Sequence, residues 1–189
     1  LNCKDNGIKK SSDGWRSYAY VSDGTPMGLM PITWASEVYK TKQQAKTFID
    51  EFIKEPFSVM GASMGGYVSI KLLEIYDIKS LILFVPAMYT EKAYDINFGN
   101  SFSEIIRKEN SWKDSKDFNI IKNYKNKVLL ISVNNDTVIP LELTNKIRES
   151  FSNLNEYIIK EGTHIVFDYI YDSNESNDIY EFIIKCLDT

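Results

Sequence analysis

Ser63 stands in Gly61-Ala62-Ser63-Met64-Gly65-Gly66, directly after the run Phe57 to Met60 and ahead of the helical stripe Val68, Leu72, Ile75 and Tyr76. This is G-x-S-x-G between a strand and a helix, the context in which the pattern carries chemistry. A sharp turn there would push the serine backbone into a strained conformation and lift its hydroxyl clear of the sheet. Gly61 and Gly65 leave room for strand and helix to approach closely. The Met64 amide falls at a helix N-terminus, where unpaired N–H groups and the helix dipole favour an oxyanion. Taken alone, the six residues also read as an ordinary small-residue turn. The flanking strand and helix favour a nucleophile.

A serine nucleophile needs a base, most often histidine. The chain has one histidine, His164, in Glu161-Gly162-Thr163-His164, at the end of the run Asn155 to Lys160. An arbitrary histidine is by default a surface or satisfied loop residue. This one occupies the loop such chemistry requires. An acid that orients the base belongs between the two in chain order, and Asp136 fits, in Asn134-Asn135-Asp136-Thr137-Val138-Ile139-Pro140. The plain alternative is a turn or cap aspartate. Asp168 and Asp172 compete for the role, but they follow His164 and lie off any strand end. Three candidate roles thus fall after three separate strands, at the sheet edge where open α/β sheets build their sites.

The elements that must position these residues alternate between strands and amphipathic helices, a pattern that predicts an α/β fold with a mainly parallel sheet. Leu81 to Val85 and Val128 to Val133 are unbroken apolar runs, expected where helices cover both sheet faces. Thr41-Lys42-Gln43-Gln44 reads as a capping box opening a helix with Ala45, Phe48, Ile49, Phe52 and Ile53 on one face. Pro140 reads as a first helical position ahead of Leu143, Ile147 and Phe151. Ile179, Phe182, Ile183, Cys186 and Leu187 form a C-terminal stripe, and Ser101 to Lys108 a short helix. Residues 1–40 hold one convincing strand, either Ser17 to Val21 or Gly28 to Thr33, and Pro31 argues against a central place for the second.

Composition bounds the rest. The 189 residues suit one domain, spanning 1–189, with 87–126 as a small lid-like insertion. A net charge of −4 argues against a sequence-blind nucleic-acid binder. Two cysteines near opposite ends make no disulfide scaffold, and one histidine without HExxH or CxxC spacing makes no zinc site, so the metal expectation is none. The longest apolar run, Leu81 to Met88, is far too short to span a bilayer, and no transmembrane segment is expected. No basic-then-apolar leader is visible, and Leu1-Asn2-Cys3 matches the end of a lipoprotein signal only weakly. Leu1 in place of an initiator Met suggests a processed form or a fragment. Mild acidity suits a cytoplasmic location.

With these motifs in place, the chain resembles the α/β-hydrolase superfamily from about Phe57 onward, in particular its small esterase- or thioesterase-like members. The resemblance rests on Gly61-Ala62-Ser63-Met64-Gly65-Gly66, Asn135-Asp136-Thr137-Val138-Ile139-Pro140 and Gly162-Thr163-His164. It implies Ser63 as nucleophile, His164 as general base, Asp136 as its orienter and Met64 as one oxyanion amide. Family members usually carry a His-Gly dipeptide after an early strand, and this sequence has none. The nearest counterpart is Asn6-Gly7-Ile8, which makes the Ile8 amide the second donor and implies that the first strands of the usual sheet are absent. The 87–126 segment takes the place of the family's lid. Met88, Tyr89 and Trp112, with Phe98 and Phe102, either line an acyl pocket there or fill the core beneath a long connection.

The expected activity is hydrolysis of a carboxylic ester or thioester, carried on a small molecule or an acyl carrier, through an acyl-enzyme and without a cofactor. An acyltransferase would use the same three residues. A binding module that kept only the fold is the alternative from another class.

Overall fold

The computed structural model describes residues 18–22, 28–31, 38–54, 56–172 and 175–188. Six strands, β1 (Tyr18–Ser22), β2 (Gly28–Pro31), β3 (Ser58–Ala62), β4 (Ser80–Phe84), β5 (Lys127–Asn135) and β6 (Leu154–Thr163), form one sheet in the order β2-β1-β3-β4-β5-β6. β3 to β6 run parallel, whereas β1 pairs antiparallel with both β2 and β3. Both N-terminal strand candidates therefore form strands, with Pro31 at the end of an edge strand, a place where proline is tolerated.

The unbroken apolar runs have the expected cause. Leu81 and Leu83 of β4, with Val128 and Leu130 of β5, face one core, while Ile82, Phe84, Leu129, Ile131 and Val133 face a second. The first core is closed by α1 (Val38–Phe52), α2 (Met64–Leu72), α4 (Phe118–Asn123) and α5 (Leu141–Ser150). The second is closed by α6 (Val166–Asp172) and α7 (Ser176–Leu187). Strands buried on both faces need no polar alternation.

Local signals were overridden at three places. α1 begins at Val38, so Thr41 lies inside the helix, buried, instead of capping it. Val38 is fully buried in the first core, and extending the helix by a turn gains that contact. Pro140 precedes α5 by one residue. α2 ends at Leu72, which leaves Ile75 beyond the helix and 40% exposed.

Residues 87–126 hold a 3-10 turn at Glu91–Ala93, α3 (Asn100–Arg107), a second 3-10 turn at Ser111–Asp114, and α4. This segment is fastened to α2. Asp117, buried, accepts hydrogen bonds from the Tyr67 hydroxyl and from Lys71 Nζ, the latter at 2.9 Å. The Tyr67 and Tyr89 rings meet edge to face at 4.9 Å, and Phe102 continues the chain from Tyr89 at 5.5 Å. The buried Asp117 carboxylate is thus paired on both oxygens, as burial of a charge requires. Among the described residues no helix is long and apolar enough to cross a membrane.

Candidate active site

Ser63 is the residue between β3 and α2, with φ 48° and ψ −117°. A non-glycine residue in the left-handed half of the map is strained and persists only where its surroundings over-determine it. Here they do: Ser63 N–H donates to the Phe84 carbonyl at 2.9 Å, and the Ser63 carbonyl accepts from Tyr67 N–H at 3.2 Å and Ala87 N–H at 2.9 Å. Gly61 is required by the same turn. A Cβ at Gly61 would lie 2.4 Å from the Gly65 carbonyl oxygen, a contact that backbone cannot relieve cheaply. Met64 is the first residue of α2, so its amide has no carbonyl one turn back within the helix to bond.

Asp136 and His164 reach Ser63 from adjacent strand ends. β5 and β6 pair in register up to Val133↔Ile159, shift, and pair again at Asn135↔Thr163. The residues that follow, Asp136 and His164, leave the sheet side by side. Gly162 makes the shift possible, because a Cβ there would come within 2.9 Å of both Ile159 and Val133 side-chain atoms.

The geometry is a continuous chain. His164 Nε2 lies 3.0 Å from Ser63 Oγ, and His164 Nδ1 lies 3.0 Å from Asp136 Oδ2. The second oxygen, Asp136 Oδ1, accepts from the Val138 and Ile139 amides, each at 2.8 Å. Burial pushes the Asp136 carboxyl up, but the His164 bond and the two amides outweigh it and hold the group below its ordinary range. Asp136 therefore stays ionised as the pH falls through the range where imidazoles take up protons. The same depression adds folding stability above the usual carboxylate range, and that stability is lost as the pH drops through the lowered value.

With Nδ1 carrying the proton, the imidazole donates to Asp136 and leaves Nε2 to accept from the Ser63 hydroxyl. Such an arrangement can move a proton off a serine as its oxygen attacks. Of the two competing acids, Asp168 is exposed on α6, and the side chain of Asp172 lies outside what the structure describes. Ile8 lies outside the described residues. Met88 and Trp112 are buried in the first core at 3% and 8% exposure, and Tyr89 is partly buried against it.

The family follows from a family model described as Uncharacterised protein family (UPF0227), which matches residues 30–182. The chain belongs to UPF0227. A comparison with curated proteins finds no match. Among solved structures, this UPF0227 chain is similar to a predicted CIB-like hydrolase from Thermoplasma acidophilum, at 18% identity and TM-score 0.55, over 80% of this chain and 60% of that one. It is also similar to MGS-MChE2, an alpha/beta hydrolase enzyme from the metagenome of lagoon sediments of Mar Chica, Morocco. That match has 17% identity and TM-score 0.59, covering 78% of this chain and 69% of the other. A monoacylglycerol lipase from Paleococcus ferrophilus gives 16% identity and TM-score 0.58, over 84% and 78%. The fold is that of the α/β-hydrolases. The chain spans about 60% of the length of the Thermoplasma hydrolase.

Sequence reasoning missed the amides of Val138 and Ile139 as the holders of Asp136. The signal was present, since an aspartate opening a turn commonly accepts from N–H groups two and three residues on. It also missed the link from Ala87 to Ser63, which no spacing announces.

Proposed function

We propose that this UPF0227 chain is a serine hydrolase that cleaves a carboxylic ester or thioester through an acyl-enzyme on Ser63. One observation carries the reading: an elbow serine stands 3.0 Å from one imidazole nitrogen while Asp136 stands 3.0 Å from the other. The hydrolase and lipase named among the structures of like fold support it.

In the first half-reaction Ser63 Oγ attacks the acyl carbon and its proton passes to His164 Nε2. The carbonyl oxygen becomes an oxyanion, stabilised by the Met64 amide at the start of α2, with the Ile8 amide as the proposed second donor. His164 returns the proton to the departing alcohol or thiol as the C–O or C–S bond breaks. Water then attacks the acyl-serine, giving its proton to Nε2, and the serine leaves with that proton to release the carboxylic acid. Asp136 holds the imidazole tautomer throughout and stabilises the imidazolium.

Short-chain p-nitrophenyl esters are the test. The protein should release p-nitrophenol catalytically, and His164→Ala should abolish that release. Turnover that survives intact in His164→Ala contradicts His164 as the base.

A further inference from the structure

Three described non-glycine residues have positive φ: Ser63, Asn110 and Val85. Asparagine tolerates that region and Ser63 is the elbow. Val85, at φ 38°, is β-branched and among the residues least suited to it. Its place explains why the strain is kept. Val85 follows β4 directly, and its N–H donates to the Ile131 carbonyl at 2.9 Å, the last bond tying this chain to β5. The backbone then swings from the sheet toward α2. Pro86 arrives so close to the helix that a Cβ at Gly66 would lie 2.8 Å from the Pro86 Cβ. Ala87 N–H then reaches the Ser63 carbonyl at 2.9 Å.

The Ser63 peptide is thus gripped at both ends by one four-residue stretch. Phe84 takes its N–H and Ala87 supplies a donor to its carbonyl. The left-handed turn at Val85 lies between Phe84 and Ala87 and carries the chain from the one bond to the other. Glycine would adopt the conformation without strain but would also leave it freely. Valine buries its side chain, 3% exposed, in the core closed by α6 and α7, and that packing holds the turn in one state.

We infer that Val85-Pro86-Ala87 is a bracket that positions the nucleophile: Val85, through its strained turn, and Ala87, through its amide, fix the Ser63 backbone against His164. This rests on the hydrolase reading for its kinetic consequence, although the bracket itself is a property of the fold. Val85 is a positioning residue and touches no substrate.

The decisive comparison is Val85→Gly against Val85→Ala. Both remove the buried isopropyl packing, but only glycine frees the backbone. Three readouts are taken on each folded variant: fluorophosphonate labelling of Ser63, kcat and KM on a p-nitrophenyl ester, and exchange of the Ser63 and Ala87 amides. Val85→Gly should label and turn over about tenfold more slowly than Val85→Ala at similar KM. Its Ser63 and Ala87 amides should also exchange at least several-fold faster than in Val85→Ala. Equal labelling, kcat and exchange in the two variants would overturn the bracket. If Val85→Gly does not fold, Gly66→Ala serves instead, because its new methyl must push Pro86 outward. Slower labelling at unchanged KM supports the bracket, and an unchanged rate overturns it. Were Ser63 unlabelled even in the unsubstituted chain, the hydrolase reading would fall, and the amide exchange would still decide the bracket.

Discussion

Ser63→Ala should lower kcat on a p-nitrophenyl ester by about 10⁶-fold, to the level left by binding and the oxyanion donors alone. The size follows from what the substitution removes. Without Oγ there is no atom 3.0 Å from His164 Nε2 to accept the acyl group, so the covalent route is lost outright. The fold should be untouched, because the Ser63 hydroxyl caps nothing in α2, and the turn is held by its backbone bonds to Phe84, Tyr67 and Ala87. His164→Ala should cost a similar factor, and the double variant little more than either alone, because the two residues act as one unit. The check is steady-state kinetics of the three proteins beside their thermal unfolding curves. Multiplying losses in the double variant would mean that Ser63 and His164 work independently, contrary to the geometry.

Asp136→Asn should lower kcat by about 10³- to 10⁴-fold while leaving KM nearly unchanged. The replacement is almost isosteric, and the asparagine carbonyl can still accept from the Val138 and Ile139 amides that hold Asp136 Oδ1. What changes is the group facing His164 Nδ1. An amide NH₂ placed there donates instead of accepting, which turns Nδ1 into the acceptor and moves the imidazole proton to Nε2. A protonated Nε2 cannot take the serine proton. Because Asp136 is held below the ordinary carboxylate range, the variant should also lack the part of acid-side stability that this carboxylate supplies above that range. Kinetics and pH-dependent unfolding of the variant test both consequences. A loss of only a few-fold in kcat would place the orienting role elsewhere.

Much of this was legible in the residues because the site hangs on strand ends. Apolar runs locate β3, β5 and β6, and the polar residue just past each run is forced to the same sheet edge. Ser63 and His164, 101 positions apart, thereby become neighbours with Asp136 between them in the chain, without any knowledge of side-chain packing. A single histidine removed the usual ambiguity over the base. Thr41 shows where such reasoning stops: the burial of Val38 outweighed a sound capping signal, and no local rule weighs the two. The 87–126 segment was harder still. It is tied to α2 through the bonds of Asp117 to Tyr67 and Lys71, contacts whose sequence separation of about fifty leaves no periodic trace. Nothing in the spacing points to Val85 either. Its φ follows from where Pro86 and Ala87 must go, and that depends on α2.

The central claim is that Ser63 is an activated nucleophile, and active-site labelling reads it most directly. The native chain, incubated with a fluorophosphonate probe, digested and mapped by mass spectrometry, should carry the adduct on the peptide containing Gly61-Ala62-Ser63-Met64-Gly65-Gly66. Labelling should be absent in Ser63→Ala and slowed at least a hundredfold in His164→Ala. An adduct on another residue, or equal labelling of Ser63→Ala and the native chain, would contradict the account.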